Sequence, residues 1–117
     1  MIKDTLKTIV EKNCQFTQAR KKDEVIALIH PDSLSYTQTK QMVEQLFSSY
    51  HLSVLVIVFK FMGKDKTYAY ARVQQEIKKI SGPEFKDNIT DQLIVFKQDG
   101  DEWKIWTTAV LNIKYID

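Results

Sequence analysis

The chain has 117 residues, of which 44% are hydrophobic and 27% charged, and its formal net charge is +2. This is the composition of one globular domain, residues 1–117, long enough to bury roughly two-thirds of its unfolded surface. So small a charge argues against nucleic acid as a partner, and Arg20-Lys21-Lys22 and Lys78-Lys79 are expected to be solvated surface.

The N-terminal stretch MIKDTLKTIVEKN lacks the apolar run of a signal peptide, and no segment approaches the roughly 18 apolar residues of a membrane span. A cytoplasmic protein without a membrane anchor is expected. Cys14 is the single cysteine, so neither an internal disulfide nor a cysteine metal cluster is expected. In chain order, Lys3–Ala19 places Leu6, Ile9, Val10, Asn13 or Cys14, and Phe16 at helical spacing. Lys22–Ile29 forms a second, short helix capped by Asp23 and stopped by Pro31. The residue before a proline avoids helical geometry, so His30-Pro31-Asp32 is a solvated turn. Ser33–Tyr36 reads as a short strand. A third helix follows, capped by Thr37 or Thr39 and running to about Ser49, with Met42, Val43, Leu46 and Phe47 on one side.

From His51 onward the period changes from that of a helix to two. His51–Met62 (HLSVLVIVFKFM) is nearly unbroken in apolar residues, as in a strand buried on both faces. Gly63 to Lys66 supplies a turn, and Thr67–Ile80 alternates Ala69, Ala71 and Val73 with Tyr68, Tyr70 and Arg72. After Ser81-Gly82-Pro83 a third run, Asn88–Lys97, is joined to a fourth, Glu102–Tyr115, through the Asp99-Gly100 turn signal. Strands this long, about twice the usual length, need bulges to bend, so the sheet is expected to curl. With a turn of two or four residues, Phe96 falls opposite Trp103 and Ile94 opposite Ile105. Trp106, Lys104, Leu93 and Asp91 then share the other face, and a three-residue turn inverts these assignments. The fold class is α+β: three N-terminal helices packed on a curved four-stranded antiparallel sheet, plus the short strand.

This order of elements resembles the nuclear transport factor 2-like superfamily, with its SnoaL-like and ketosteroid isomerase-like members. The resemblance rests on the whole chain, most specifically on Asp23-Glu24-Val25-Ile26-Ala27-Leu28-Ile29-His30-Pro31-Asp32 and Gly100-Asp101-Glu102-Trp103-Lys104-Ile105. It implies a cystatin-like, cone-shaped barrel with an apolar cavity and an open sheet face that pairs two subunits. In the ketosteroid isomerase-like members a tyrosine in the first helix and an acid after the short strand do the chemistry. Those positions fall here near Asn13 and near Tyr36-Thr37, which supply neither group.

The candidate catalytic residues are therefore Asp91, Tyr36 and His51, with Arg72, Tyr70, Gln92 and Trp106 as candidate ligand-binding residues. Acid–base chemistry needs a base with a shifted pKa beside a donor, and Asp91 is the carboxylate most embedded in an apolar strand. Its plainer role is a cross-strand ion pair with Arg72, the only arginine of the sheet. No metal site and no cofactor are expected: the histidines are two, and no glycine-rich phosphate loop occurs. Three functions fit: a homodimeric module binding a small apolar ligand, a SnoaL-like isomerase, cyclase or dehydratase, and an accessory subunit for another protein.

Overall fold

A computed structural model describes residues 1–116. Three helices, α1 (Ile2–Gln18), α2 (Lys22–Ala27) and α3 (Tyr36–Ser49), precede four strands, β1 (His51–Lys64), β2 (Tyr68–Ser81), β3 (Asn88–Asp99) and β4 (Glu102–Tyr115). The strands form one antiparallel meander in the order β1-β2-β3-β4, with the helices on one face.

The core forms where the apolar stripe of α1 meets the inward parity of the central strands. Leu6, Ile9 and Val10 pack on Ala69, Ala71 and Val73 of β2 and on Ile94 and Phe96 of β3. Small alanines at two of these positions bring the helix close to the sheet, and Phe96 fills the space between them with no exposed surface. Val56, Phe59, Phe61, Trp103 and Ile105 close the sides of this core.

The expected bending is present. Register shifts leave Ile57 and Met62 as extra residues in β1, and Trp106 and Leu111 as extra residues in β4. An extra residue raises local twist and bends its strand, so both outer strands curve about the central pair.

Several expectations are corrected. Gly100-Asp101 is a two-residue turn with Asp99 opposite Glu102, so Phe96 faces Ile105, Ile94 faces Thr108, and Trp103 pairs with Gln98. Trp103 and Ile105 do share the core face. In the first hairpin β1 runs two residues past Met62 and β2 starts one residue after Thr67, and Asp65 organises the turn: Oδ1 accepts the Thr67 and Tyr68 amides at 2.8 and 2.7 Å, and Oδ2 accepts the Tyr70 hydroxyl at 3.0 Å. Asp23 lies inside the first turn of α2 rather than capping it, and α3 begins at Tyr36 with Ser35 ahead of it, not at Thr37 or Thr39.

No strand forms at Ser33–Tyr36. The extended contact falls earlier, where Ile29 makes a parallel bridge with Ile105. The Ile105 amide donates to the Leu28 carbonyl and the His30 amide to the Ile105 carbonyl, both at 2.8 Å. His30 is consequently not a solvated turn residue: it is 3% exposed. β1 also departs from expectation, since its outer face is bare, with Leu55 60% and Val58 45% exposed.

Candidate functional site

Between the helices and the concave sheet face lies a cavity of about 450 Å³. Val10 of α1, Val25 and Ile29 of the α2 region, and Val43, Leu46 and Phe47 of α3 form its apolar walls. α3 is held to α2, partly through a Lys22–Glu44 ion pair at 3.6 Å, and stands away from the sheet. Met42 on α3 and Val110 on β4 line the cavity yet are 59% and 57% exposed, which places the mouth between these two elements.

The floor is polar because the inward parity of the sheet changes chemistry along its length. From Phe96 and Ile94 the inward positions of β3 continue as Gln92, Thr90 and Asn88, all buried, with Gln75 beside them on β2. Asn88 Oδ1 accepts the Thr90 hydroxyl at 2.7 Å, and the Gln75 amide donates to Cys14 Sγ at 3.4 Å. Gln75 and Gln92 both line the cavity. Gln92, a residue only 8% exposed, lines the cavity, and no buried side-chain nitrogen or oxygen among the described residues is left without a hydrogen-bond partner.

Every residue lining the cavity is non-ionisable. Cys14 touches the lining residue Gln75, and His30 and Lys97 touch Trp106, but none of the three belongs to the lining. Burial and Glu11 push the Cys14 thiol up to about 12, so it is a neutral packing group. His30 stacks edge-on against Trp106 at 5.2 Å, with Nε2 3.1 Å from the Gln98 carbonyl and Nδ1 accepting the Asp32 amide at 3.1 Å. That network assigns the ring proton to Nε2 and engages both nitrogens. Ser33 donates to the Trp106 carbonyl at 2.6 Å, so Ser35 is the donor in the 3.1 Å contact between the two hydroxyls.

The candidate residues divide between the two sheet faces. Gln92 and Trp106 both border the cavity, although the Trp106 ring lies against Lys97 and Tyr68 of the outward parity; Asp91, Arg72 and Tyr70 are on the face opposite Gln92, and Tyr36 and His51 are outside the lining. Asp91 is gripped by Arg72 through two bonds, Nε to Oδ1 at 3.1 Å and a terminal nitrogen to Oδ2 at 2.8 Å. The guanidinium holds this carboxyl below the usual carboxylate range, the opposite of what a general base at neutral pH needs. Trp106 sits at the sheet edge as the extra residue of β4, with Lys97 Nζ 4.3 Å from its ring centroid and Tyr68 beside it at 6.2 Å. Gln75, Thr108 and Val110 were not singled out from sequence; the two-residue parity of Val73 and of Ile94 would have led to Gln75 and Gln92.

A second groove of about 480 Å³ lies between α1 and the β3–β4 turn, lined in part by Asp4, Lys12, Glu102, Trp103 and Lys104. Its Lys104 is already engaged by Asp99 at 2.8 Å and Glu102 at 4.0 Å. Among the described residues no group of three or more His, Cys, Asp or Glu could hold a metal ion, and no helix is long and apolar enough to cross a membrane.

Three helices over a bent four-stranded meander with a cavity between the layers define a protein of the nuclear transport factor 2-like, cystatin-like fold. Residues 8–116 match the family described as "Anti-sigma-I factor RsgI9, C-terminal domain", and the chain belongs to that family. No protein of curated function matches the sequence. Similar solved structures include three from Novosphingobium aromaticivorans. A protein provisionally described as an aromatic ring hydroxylase has TM-score 0.79 at 12% identity over 97% of this chain and 92% of its own. One provisionally described as a scytalone dehydratase has TM-score 0.75 at 12% identity, over 97% and 87%. A nuclear transport factor 2-like protein with a cystatin-like fold has TM-score 0.67 at 9% identity, over 93% and 81%. At such identities the likeness is one of fold, and residue roles do not transfer.

Proposed function

We propose that this domain is a binding module that holds a small molecule between α3 and the sheet and performs no acid–base chemistry on it. The observation that carries this reading is the lining itself, in which no side chain can take up or release a proton near neutral pH. A SnoaL-like isomerase, cyclase or dehydratase would need Asp91 or His51 as base and Tyr36 or Tyr70 as donor inside the cavity, and none of these lines it. Membership of a family named for the C-terminal domain of an anti-sigma factor suits a sensory part, in which occupancy changes how α3 sits over the sheet. Titration with the neutral dye Nile Red tests the reading. Saturable one-to-one binding, abolished in Thr108→Trp, which fills the cavity from a solvent-exposed position, supports it; absence of saturable binding by the native protein overturns it.

The second reading concerns assembly, and the bare apolar outer side of β1 favours it. Leu55 and Val58 of β1 are exposed on this face, and Leu93 and Val95 of β3, which are half-buried, lie across β2 from them, beyond Tyr70, Arg72, Gln74 and Glu76. A two-fold axis through this face would set the same patch against itself. Light scattering at micromolar concentration should give twice the chain mass, reverting to one chain in Leu55→Lys. A monomeric native protein refutes self-association, and a complex that forms only with a second protein identifies the accessory-subunit role instead.

A further inference from the structure

The chemistry of the floor specifies a class of ligand. We infer that the cavity is selective for an uncharged amphipathic molecule whose hydroxyl, carbonyl or amide group docks on the carboxamides of Gln92 and Gln75; the inference rests on the binding reading above. Gln92 is the decisive residue. A side-chain amide offers two donors and an accepting oxygen, and Gln92 lines the cavity beside Gln75. It stands on the inward face of a strand whose next two inward residues are Ile94 and Phe96, so it is where the apolar floor turns polar. A ligand polar group reaching this floor can hydrogen-bond to either carboxamide.

Charge is excluded on the same grounds. A carboxylate in this cavity would meet no lysine, arginine or histidine, and an ammonium would meet no carboxylate. Burying either ion unpaired is far more costly than burying an alcohol that is hydrogen-bonded. The apolar walls formed by Val25, Val43, Leu46 and Phe47 then receive the hydrocarbon part. A volume of about 450 Å³, equal to roughly 15 water molecules at ~30 Å³ each, accommodates a bicyclic aromatic body.

Calorimetric titration with naphthylmethanol, naphthoate and naphthylmethylamine, matched in body and differing in head-group charge, tests this, with Nile Red as the control for an open cavity. Naphthylmethanol should bind at least about tenfold more tightly than either ion. In Gln92→Met, which keeps length and removes the amide, naphthylmethanol should weaken about three- to tenfold, towards methylnaphthalene, while Nile Red binding persists. In Gln92→Glu the order should change to favour naphthylmethylamine. Nile Red binding with no head-group preference, or with none of the three probes bound, overturns the inference while leaving the binding module intact. Loss of Nile Red binding by the native protein overturns the binding reading itself. Far-UV circular dichroism and the melting temperature verify the fold of each variant; if Gln92→Met unfolds, Gln75→Met replaces it with the same expected weakening.

Discussion

His30 Nε2 lies 3.1 Å from the carbonyl oxygen of Gln98, joining the turn after α2 to the last residues of β3 across 68 positions of sequence. The same turn carries the Ile29–Ile105 bridge and the Ser33 bond to the Trp106 carbonyl. The helical layer is thus fastened to β4 beside its bulge. Replacing the imidazole leaves the Asp32 amide without its acceptor and opens space against Trp106. His30→Ala should destabilise by about 2–4 kcal/mol, measured by urea unfolding. Its Trp106 fluorescence, isolated in a Trp103→Phe background, should shift to the red, and an unchanged midpoint would remove the turn from its structural role.

Gly82 has φ +126°, and a Cβ built there would lie 2.6 Å from the Ser49 carbonyl oxygen and 2.9 Å from the Tyr50 ring. The left-handed backbone and the close approach act together at the junction of α3 and β1. Gly82→Ala should cost about 1–3 kcal/mol, whereas Gly100→Ala, with φ +63° and open space around its Cβ position, should cost less. Equal costs would show that the Ser49 contact is irrelevant.

Acid sensitivity follows from three carboxyls. Asp65 is held below the usual range by the Tyr68 and Thr67 amides, Asp91 by the Arg72 guanidinium and Asp99 by Lys104. Because each binds its proton less readily folded than unfolded, their contribution is complete above the ordinary carboxyl value of about 3.9. It is lost as pH falls through the depressed folded values. Stability should therefore be level from pH 7 to about 5 with respect to these groups and decline below about 4. Asp91→Asn should flatten that decline, and urea midpoints at several pH values read it directly. A slope identical to that of the native protein would exclude the Arg72 pair as a contributor.

The Cys14 thiol, pushed up to about 12 and buried under α1, should resist iodoacetamide at pH 8 in the folded protein and react at once in urea. Rapid labelling of the native state, followed by mass spectrometry, would show that α1 opens at that point.

The strands were legible in sequence because β-branched and aromatic residues alternate with polar ones over long runs, and Glu102–Tyr115 matches β4 residue for residue. Arg72 and Asp91 pair as their shared outward parity suggested. What sequence hid was created by contacts between distant segments. His30 looks like a turn residue until Gln98 and Trp106 close over it, and the bridge at Ile29 displaces the strand expected at Ser33–Tyr36. The extra residue Trp106 inverts the alternation beyond Ile105, which no local propensity announces. The neutrality of the cavity was hidden for the same reason: it depends on which of two faces Gln92 and Asp91, adjacent in sequence, each take.

The extra residues of β1 and β4 also govern how molecules meet sideways. These are the two outermost strands, and each is interrupted twice, at Ile57 and Met62 on one margin and at Trp106 and Leu111 on the other. A foreign strand laid along either margin would lose register within a few residues, before a continuous ladder could propagate. Rich as this sheet is in valine, isoleucine and phenylalanine, its borders are poor templates for fibril growth, and a chain with both interruptions of β4 deleted should aggregate faster than its parent.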